Sequence, residues 1–512
     1  MILRHVLLLP ALVGGIGHGL AAQAVERTDT PRRGALRITF DPRIMTWEDE
    51  YTPAGRQPLG AAFAGDSIAT WRPAVALVEE NIRAATGLSG YIARLGGSLL
   101  AIRAERRTMP IAMEYGITPR LSFGVTVPIV RVEVRERFRA NPAGSNLGPL
   151  PDPAGYTAFF SHLNTALTQL NDSIAAGAYG CPAGPACARA QALYAQGQAL
   201  ASALSNAVLG NPDTVALFLP TAGSDAGRSL SAIVAGLGRA LADTFHIAAF
   251  ARDTFLLPAM AVPGDSAATL LATRLSGLGL APYAETPRRL RFFPGDVELA
   301  ARYRFLARDN YAATAAVVVR LPTGHQDSPN DPFDLATGDH QTDVEGRLTG
   351  ELTLRRRLWL NLAMRAGRQL PGQRERHIGP VGQPFLPATT LARLRWDPGD
   401  YLVVDAAPLF RFSRMFAAGI TLGYATQQRD RYAFLSPQDS IDVAGRVGGP
   451  VSAAVLEPGT GIRQVRLGVA ATFLGPRLEG GFSVERTISG AGGPVPAATL
   501  FRIVIRQTIL LF

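Results

Sequence analysis

From Leu121 to Val127 the odd positions hold Leu, Phe, Val and Val, while the even ones hold Ser, Gly and Thr. Successive side chains of an extended strand point to opposite faces, so this stretch predicts a strand with one apolar face and one small, polar face. The alternation returns along the chain. In GDVELAARYRF, Val297, Leu299, Ala301, Tyr303 and Phe305 share one face, and Glu298, Arg302 and Arg304 share the other. In DVEGRLTGELTL, Val344, Leu348, Leu352 and Leu354 lie opposite Glu345, Arg347, Thr349 and Glu351. Further copies run over 358–367, 416–427, 463–473, 477–487 and 500–510. Period-two alternation over about ten residues marks strands, not helices.

The joints between these segments alternate in length. Short turns stand at Thr118-Pro119-Arg120, Arg308-Asp309-Asn310, Arg355-Arg356-Arg357, Ser413-Arg414-Met415 and Gly475-Pro476-Arg477. Long joints rich in Gly, Pro and Asp fill 325–343, 373–390 and 435–459. An outer-membrane barrel has this asymmetry, with tight periplasmic turns, long outer loops, an apolar face toward lipid and a polar lumen. Hydrocarbon offers the backbone no hydrogen-bond partner, so a spanning sheet must close on itself. On this reading Leu121, Phe123, Val125 and Val127 face lipid, and Ser122, Gly124 and Thr126 face the lumen. Beyond Pro128 the apolar residues Val130, Val132 and Val134 fall on even positions, and a bulge near Pro128 would account for the change.

Strands are expected near 35–48, 91–117, 120–138, 289–307, 311–322, 343–355, 358–370, 389–413, 416–433, 461–474, 477–488 and 498–512. The fold class is therefore an all-β membrane protein, an antiparallel outer-membrane β-barrel of about twelve strands with a helical insertion. A soluble β-sandwich would alternate too, but its strands average about 5–6 residues. Several here reach the length that crosses a bilayer at a tilt.

One region breaks the pattern. Between 139 and 288 apolar residues fall at helical spacing: Phe160, Leu163, Leu167, Leu170 and Ile174, then Leu193, Leu200, Leu204 and Val208, then Leu230, Ile233, Leu237, Leu241 and Phe245. These predict amphipathic helices. They would form a cap over the barrel mouth, a plug within it, or a decorated surface loop. Cys181 and Cys187, the only cysteines, lie between the first two helices and in an exported protein would form one local disulfide.

The start of the chain supports export. Arg4 and His5 precede an apolar stretch from Val6 to Ile16, and Ala22-Gln23-Ala24 offers a small-x-small cleavage site, so residues 1–24 read as a secretory signal peptide. The remaining organisation is 25–138 for N-terminal strands with an outer loop, 139–288 for the helical insertion and 289–512 for C-terminal strands. No later stretch offers about 20 uninterrupted apolar residues. The formal net charge is +10, and all 51 basic residues are arginine. They are scattered singly, with no basic run or recognition-helix pattern, so nucleic acid is not an expected partner.

GDVELAARYRF, VVVRLPTG (317–324), TGDHQTDVEG (337–346) and YGITPRLSFGVTVP (115–128) resemble the bacterial outer-membrane barrel family of meta-pathway phenol-degradation proteins. That family is similar to the channels for fatty acids and aromatic hydrocarbons. The resemblance is best from Gly295 to about Gly367 and implies a transporter-like barrel. The helical insertion has no counterpart in it.

Catalysis has one candidate locus. His325, Asp327, Asp331, Asp334, Asp339, His340 and Asp343 crowd one loop, which could hold a hydrolytic His-Asp pair or a divalent metal on Asp327, Asp331 and Asp334. The spacing matches no metal-loop motif, and neither a metal nor a cofactor is expected. The sequence thus predicts a monomeric porin-like channel or passive transporter for small solutes, apolar or aromatic ones included. Parity places Glu298, Arg302, Arg304, Arg347 and Glu351 in its lumen. Its expected partners are outer-membrane lipid, lipopolysaccharide, the barrel-assembly machinery and the solute. The alternatives are a structural or adhesive barrel with a closed lumen and a partner-binding helical cap, and an outer-membrane hydrolase.

Overall fold

The computed structural model describes residues 26–61, 64–67, 73–141, 143–152, 154–209, 218–263, 288–331, 333–355, 357–379, 386, 388–475 and 478–511. The expected signal peptide lies outside them. The chain divides into two compact units, residues 1–62, 101–137 and 286–512, and residues 63–100 and 138–285.

The first unit is a closed antiparallel β-barrel of twelve strands. In chain order they are β1 (Ala35–Phe40 and Arg43–Trp47), β2 (Arg94–Gly116), β3 (Leu121–Asn141) and β4 (Arg288–Pro294 and Val297–Ala307). There follow β5 (Tyr311–Leu321), β6 (Asp343–Leu354), β7 (Leu358–Gln369) and β8 (Tyr401–Arg411). The last four are β9 (Phe416–Gln427), β10 (Ile462–Leu474), β11 (Leu478–Ala491) and β12 (Thr499–Leu510). Each pairs with its neighbours in sequence, and β1 closes the ring against β12, with Ala35 opposite Leu510 and Arg43 opposite Arg502. No strand edge is left for hydrocarbon to meet.

Alternation sorts the side chains. Phe123, Leu299, Tyr303, Leu348, Leu362, Phe416, Val469 and Ile503 stand exposed on the outer wall, while Ser122, Thr314, Glu345, Asn361, Arg365 and Arg466 are buried on the inner side. No helix among the described residues is long and apolar enough to cross a membrane; the strands carry the apolar belt.

The expected bulge at Pro128 is displaced to the partner strand. Thr126 faces Glu298 and Ile129 faces Pro294, so Val127 and Pro128 lie opposite three residues of β4, Gly295 to Val297. Proline cannot donate to the ladder, but its carbonyl accepts from the Gly295 amide at 2.8 Å. A Cβ at Gly295 would lie 3.0 Å from both Pro128 Cγ and Val130 Cγ2, so a side chain there would press on both. β3 keeps its own alternation, and Val130, Val132 and Val134 point inward at 1–3 % exposure. The apolar residues therefore change faces while the pleat of β3 runs on unbroken.

The strand expected at 389–413 is two. Leu391–Asp397 joins Gly372–His377 and Arg431–Phe434 in a separate three-stranded sheet, and β8 begins only after Pro398-Gly399-Asp400. Asp430 fixes the break by accepting from Trp396 Nε1 at 2.9 Å and from the Gly399 amide at 3.2 Å. The joint at 435–459 is likewise partly helical, with a helix at Pro437–Val447 entered through a Ser436–Asp439 capping box and closed by Gly448 in the left-handed region.

The second unit has an apolar core among four helices, α1 (Pro73–Thr86), α2 (Ala154–Ala175), α3 (Pro185–Leu209) and α4 (Asp225–Arg239). Leu163, Leu167, Leu170, Leu200, Leu204, Leu230 and Leu237 are buried in it, as the helical spacing predicts. Cys181 and Cys187 are disulfide-bonded across the α2–α3 connection, with Cα atoms 4.9 Å apart. The unit also takes residues 63–100, including α1, from what the sequence suggested was a plain outer loop.

Candidate functional site: the barrel interior

The segment that precedes β1 runs inside the barrel. The end nearer β1 lies by the short turns, where Thr30 Oγ1 donates to the Pro119 carbonyl at 3.0 Å. Deeper in, the Thr28 amide donates to Glu351 Oε1 at 2.8 Å and Thr314 Oγ1 donates to the Thr28 carbonyl at 2.6 Å. Thr349 Oγ1 donates to Glu26 Oε2 at 2.8 Å, Asn361 Nδ2 donates to the Glu26 carbonyl, and Arg302 donates to the Arg27 carbonyl. Strands β4 to β7 thus hold the segment through their inward side chains. No periodicity marks this segment in the sequence, so it was not foreseen.

Around it the interior is braced by charge. Arg320 Nε and Nη2 donate to Glu298 and Glu345, both at 2.9 Å, and its Nη1 donates to the Tyr401 hydroxyl at 2.8 Å. Arg347 reaches the same two carboxylates, Glu298 at 2.9 Å. Asp405 takes Arg365 at 2.8 Å and Arg466 at 2.7 Å, and Asp41 takes Arg502 at 2.6 Å. A Cβ at Gly423 would fall 2.6 Å from Arg466 Nη2, so this inward glycine lets the guanidinium lie across the wall. Buried charges of this kind persist because each finds an oppositely charged, hydrogen-bonded partner.

Among the described residues, two cavities adjoin this network. One of about 220 Å³ adjoins the N-terminal segment and is lined by Glu26, Arg27, Thr39, Ala300 and Thr349 among others. The second, of about 170 Å³, lies toward the long loops, where Met45, Trp47, Leu335 and Leu500 meet Arg106, Thr108 and Glu298. Both touch Arg43, Pro110, Thr126 and Glu298.

The structure places the five lumen candidates as follows. Glu298 and Arg347 meet in the cluster around Arg320. Arg302 and Glu351 bind the N-terminal segment. Arg304 joins neither group; its backbone amide donates to the Arg120 carbonyl at 2.7 Å by the short turns. Arg320, Glu345, Arg365, Asp405 and Arg466 were not singled out, although the parity that marked Glu298 extends to them.

The loop carboxylates are engaged by arginines and amides. Asp327 pairs with Arg374 and with Arg376, the latter at 2.7 Å. Asp331 Oδ1 accepts from the Phe333 amide at 3.0 Å. Asp334 accepts from the Ser328 amide at 2.8 Å and lies 2.6 Å from Arg291 Nε; burial nevertheless pushes its carboxyl up to about 6. His325 stacks on Phe293, with Nε2 2.7 Å from Arg291 Nη1, and burial together with that guanidinium lowers its pKa. His325 is thus in contact with an arginine where the alternative hydrolytic reading of this loop would pair a histidine with an aspartate, and among the described residues no group of three His, Cys, Asp or Glu could hold a metal.

No protein-family model matches the chain, and no curated protein does. Among solved structures the chain is similar to an outer membrane channel from Pseudomonas putida F1, at 8% identity and a TM-score of 0.43, covering 95% of this chain and 100% of that one. It is also similar to the toluene transporter TbuX of Ralstonia pickettii, at 8% identity, a TM-score of 0.27 and 97% of each chain. A Pseudomonas aeruginosa FadL homologue follows at 8% identity and a TM-score of 0.26, over 93% of this chain and 90% of that one. These neighbours are outer-membrane barrels, and the narrower phenol-degradation family remains a resemblance of short motifs.

Proposed function

We propose that this protein is a monomeric outer-membrane channel through which small solutes cross by the barrel interior, and that Glu26–Pro31 sets its narrowest section. The observation that carries this reading is the pair of adjoining cavities, about 220 and 170 Å³, kept open beside fixed charges in a closed barrel. A purely structural barrel would fill that space with large side chains. Mixed fixed charges set the field that a permeating solute meets. The wall of Met45, Trp47, Leu335 and Leu500 gives an apolar or aromatic ring a surface to follow.

Short turns then face the periplasm and long loops the exterior. Signal cleavage after Ala24 leaves Glu26 as the second residue of the mature chain, and N-terminal sequencing of exported protein tests that step. Liposome swelling with graded sugars and small aromatic solutes tests the channel. Uptake that falls steeply with solute size supports it; no swelling with any solute favours the closed structural barrel.

A further inference from the structure

We infer that the outward face of β2 and β3, in the half of each strand away from the short turn, is a docking site for the phosphorylated headgroup of lipid A, the membrane anchor of lipopolysaccharide. This rests on the orientation proposed above, with short turns toward the periplasm. Both strands give their odd residues to the outer wall, since Arg106, Thr108, Thr126 and Val130 line the interior. Near the turn the outward residues are apolar, with Ile111 and Met113 on β2 and Phe123 and Val127 on β3 all exposed. Farther along they are charged: Arg103, Glu105 and Arg107 on β2, then Arg131, Glu133, Arg135 and Arg137 on β3. Gly124 lies beside Glu114, and the Asn141 carbonyl lies beside Gly96. The two strands therefore keep one register, which sets Arg107 next to Arg131 and Arg103 next to Arg135.

The height suits a headgroup. From Leu121 to Arg131, at about 3.3 Å per residue and a tilt of about 40°, β3 climbs about 25 Å, the height of an outer-membrane apolar band. The patch there carries five arginines against three carboxylates, Glu48, Glu105 and Glu133, so positive charge is in surplus. Glu133 is 4% exposed between Arg131 at 3.0 Å and Arg135 at 2.6 Å, and it spreads the two guanidiniums without cancelling both. Arg107 gives Glu105 its Nε and Arg135 gives Glu133 its Nε. Each keeps its two terminal nitrogens for a further acceptor, and that planar pair suits phosphate oxygens. Other strands lack such a cluster: the outward positions near the long-loop ends of β5, β6 and β8 are Leu321, Val344 and Leu402, and Arg368 is the single outward charge of β7. Below the arginines the apolar outward residues give acyl chains a surface. A free phosphate would leave that surface unused, and a zwitterionic lipid would leave the surplus charge unmatched.

The test is native mass spectrometry of the detergent-purified full chain, titrated with bisphosphorylated lipid A, phosphatidylglycerol and inorganic phosphate. Wild type is compared with Arg103→Gln plus Arg135→Gln and with Arg368→Gln. The double variant leaves Arg107 on Glu105 and Arg131 on Glu133, so neither carboxylate is orphaned. Lipid A is expected to bind wild type and Arg368→Gln alike and the double variant at least tenfold more weakly, with partial recovery in Arg103→Lys plus Arg135→Lys. Inorganic phosphate in large excess is expected not to displace it. Equal lipid A binding by wild type and the double variant overturns the site, and so does phosphatidylglycerol held as tightly as lipid A, or displacement by phosphate. The heat-dependent gel shift checks that each variant is a folded barrel, and Arg135→Gln alone carries the comparison if the double variant does not fold. A chain that conducts in planar bilayers but holds lipid A no better than phosphatidylglycerol sinks this inference alone; lipid A held selectively by a chain that passes nothing sinks the channel reading instead.

Discussion

The barrel and the helical unit solve the burial problem in opposite senses. The helical unit buries leucines, Leu163, Leu204 and Leu230 among them, in an apolar core, while the barrel turns Leu299, Leu348 and Val469 outward and holds Arg320, Glu345 and Asp405 among the groups of its interior. The hydrophobic effect governs both, because the barrel's outer wall is meant for lipid and its inner wall for water and ions. What differs is the cost of error. In the helical unit a lost contact leaves a void; in the barrel it leaves a charge.

That contrast can be broken most sharply at Arg320. Arg320→Leu leaves Arg347 as the one guanidinium ion-paired with Glu298 and Glu345, beside the Tyr401 hydroxyl on Glu345, and removing one partner of a buried ionic cluster is expected to cost about 3–5 kcal/mol, read as a lowered midpoint in urea titration of the folded barrel. Leu163→Ala, a void in the helical core, is expected to cost about 2–5 kcal/mol while the barrel's heat-dependent gel shift stays as in wild type. Leu348→Arg places charge on the outer wall and is expected to cost about 2–4 kcal/mol in lipid vesicles. Replacing Cys181 and Cys187 by serine opens a short loop and should lower the stability of the helical unit by about 2 kcal/mol, measured by thermal melting with and without reductant.

The smallest change per step is one of pH. Burial raises the Glu50 carboxyl to about 8, in the small sheet formed by Asp49–Thr52, Gly55–Pro58 and Val495–Pro496. The folded chain therefore holds a proton that the unfolded chain releases near pH 4.5. The stabilisation is complete below that pH and is lost as pH rises to about 8, by at most ~1.4 kcal/mol per pH unit. Amide exchange across Asp49–Thr52 should show this slope, and Glu50→Gln should flatten it.

Much of the barrel was legible because pleat and lipid impose the same period. Leu299 and Glu298 declared their faces by position alone, and Phe160 to Ile174 declared a helix by theirs. What escaped notice depends on partners distant in sequence. The break before β8 is set by Asp430 reaching Trp396. The register shift at Pro128 belongs to Gly295 on the facing strand, and the occupied lumen arises from Thr28, whose partners are Glu351 and Thr314. Parity tells which face a side chain takes, and contacts decide what it meets there. For that reason parity marks Glu298 and Arg347, while the role of Arg320 in joining them shows only in its contacts.

The central claim is that the interior conducts and that Glu26–Pro31 narrows it. Single-channel recording in planar lipid bilayers, on the mature chain and on a chain lacking residues 26–31, tests both together. The account predicts small discrete steps for the mature chain and steps several-fold larger after the deletion. Silence from both, in protein whose gel shift shows a folded barrel, would contradict it.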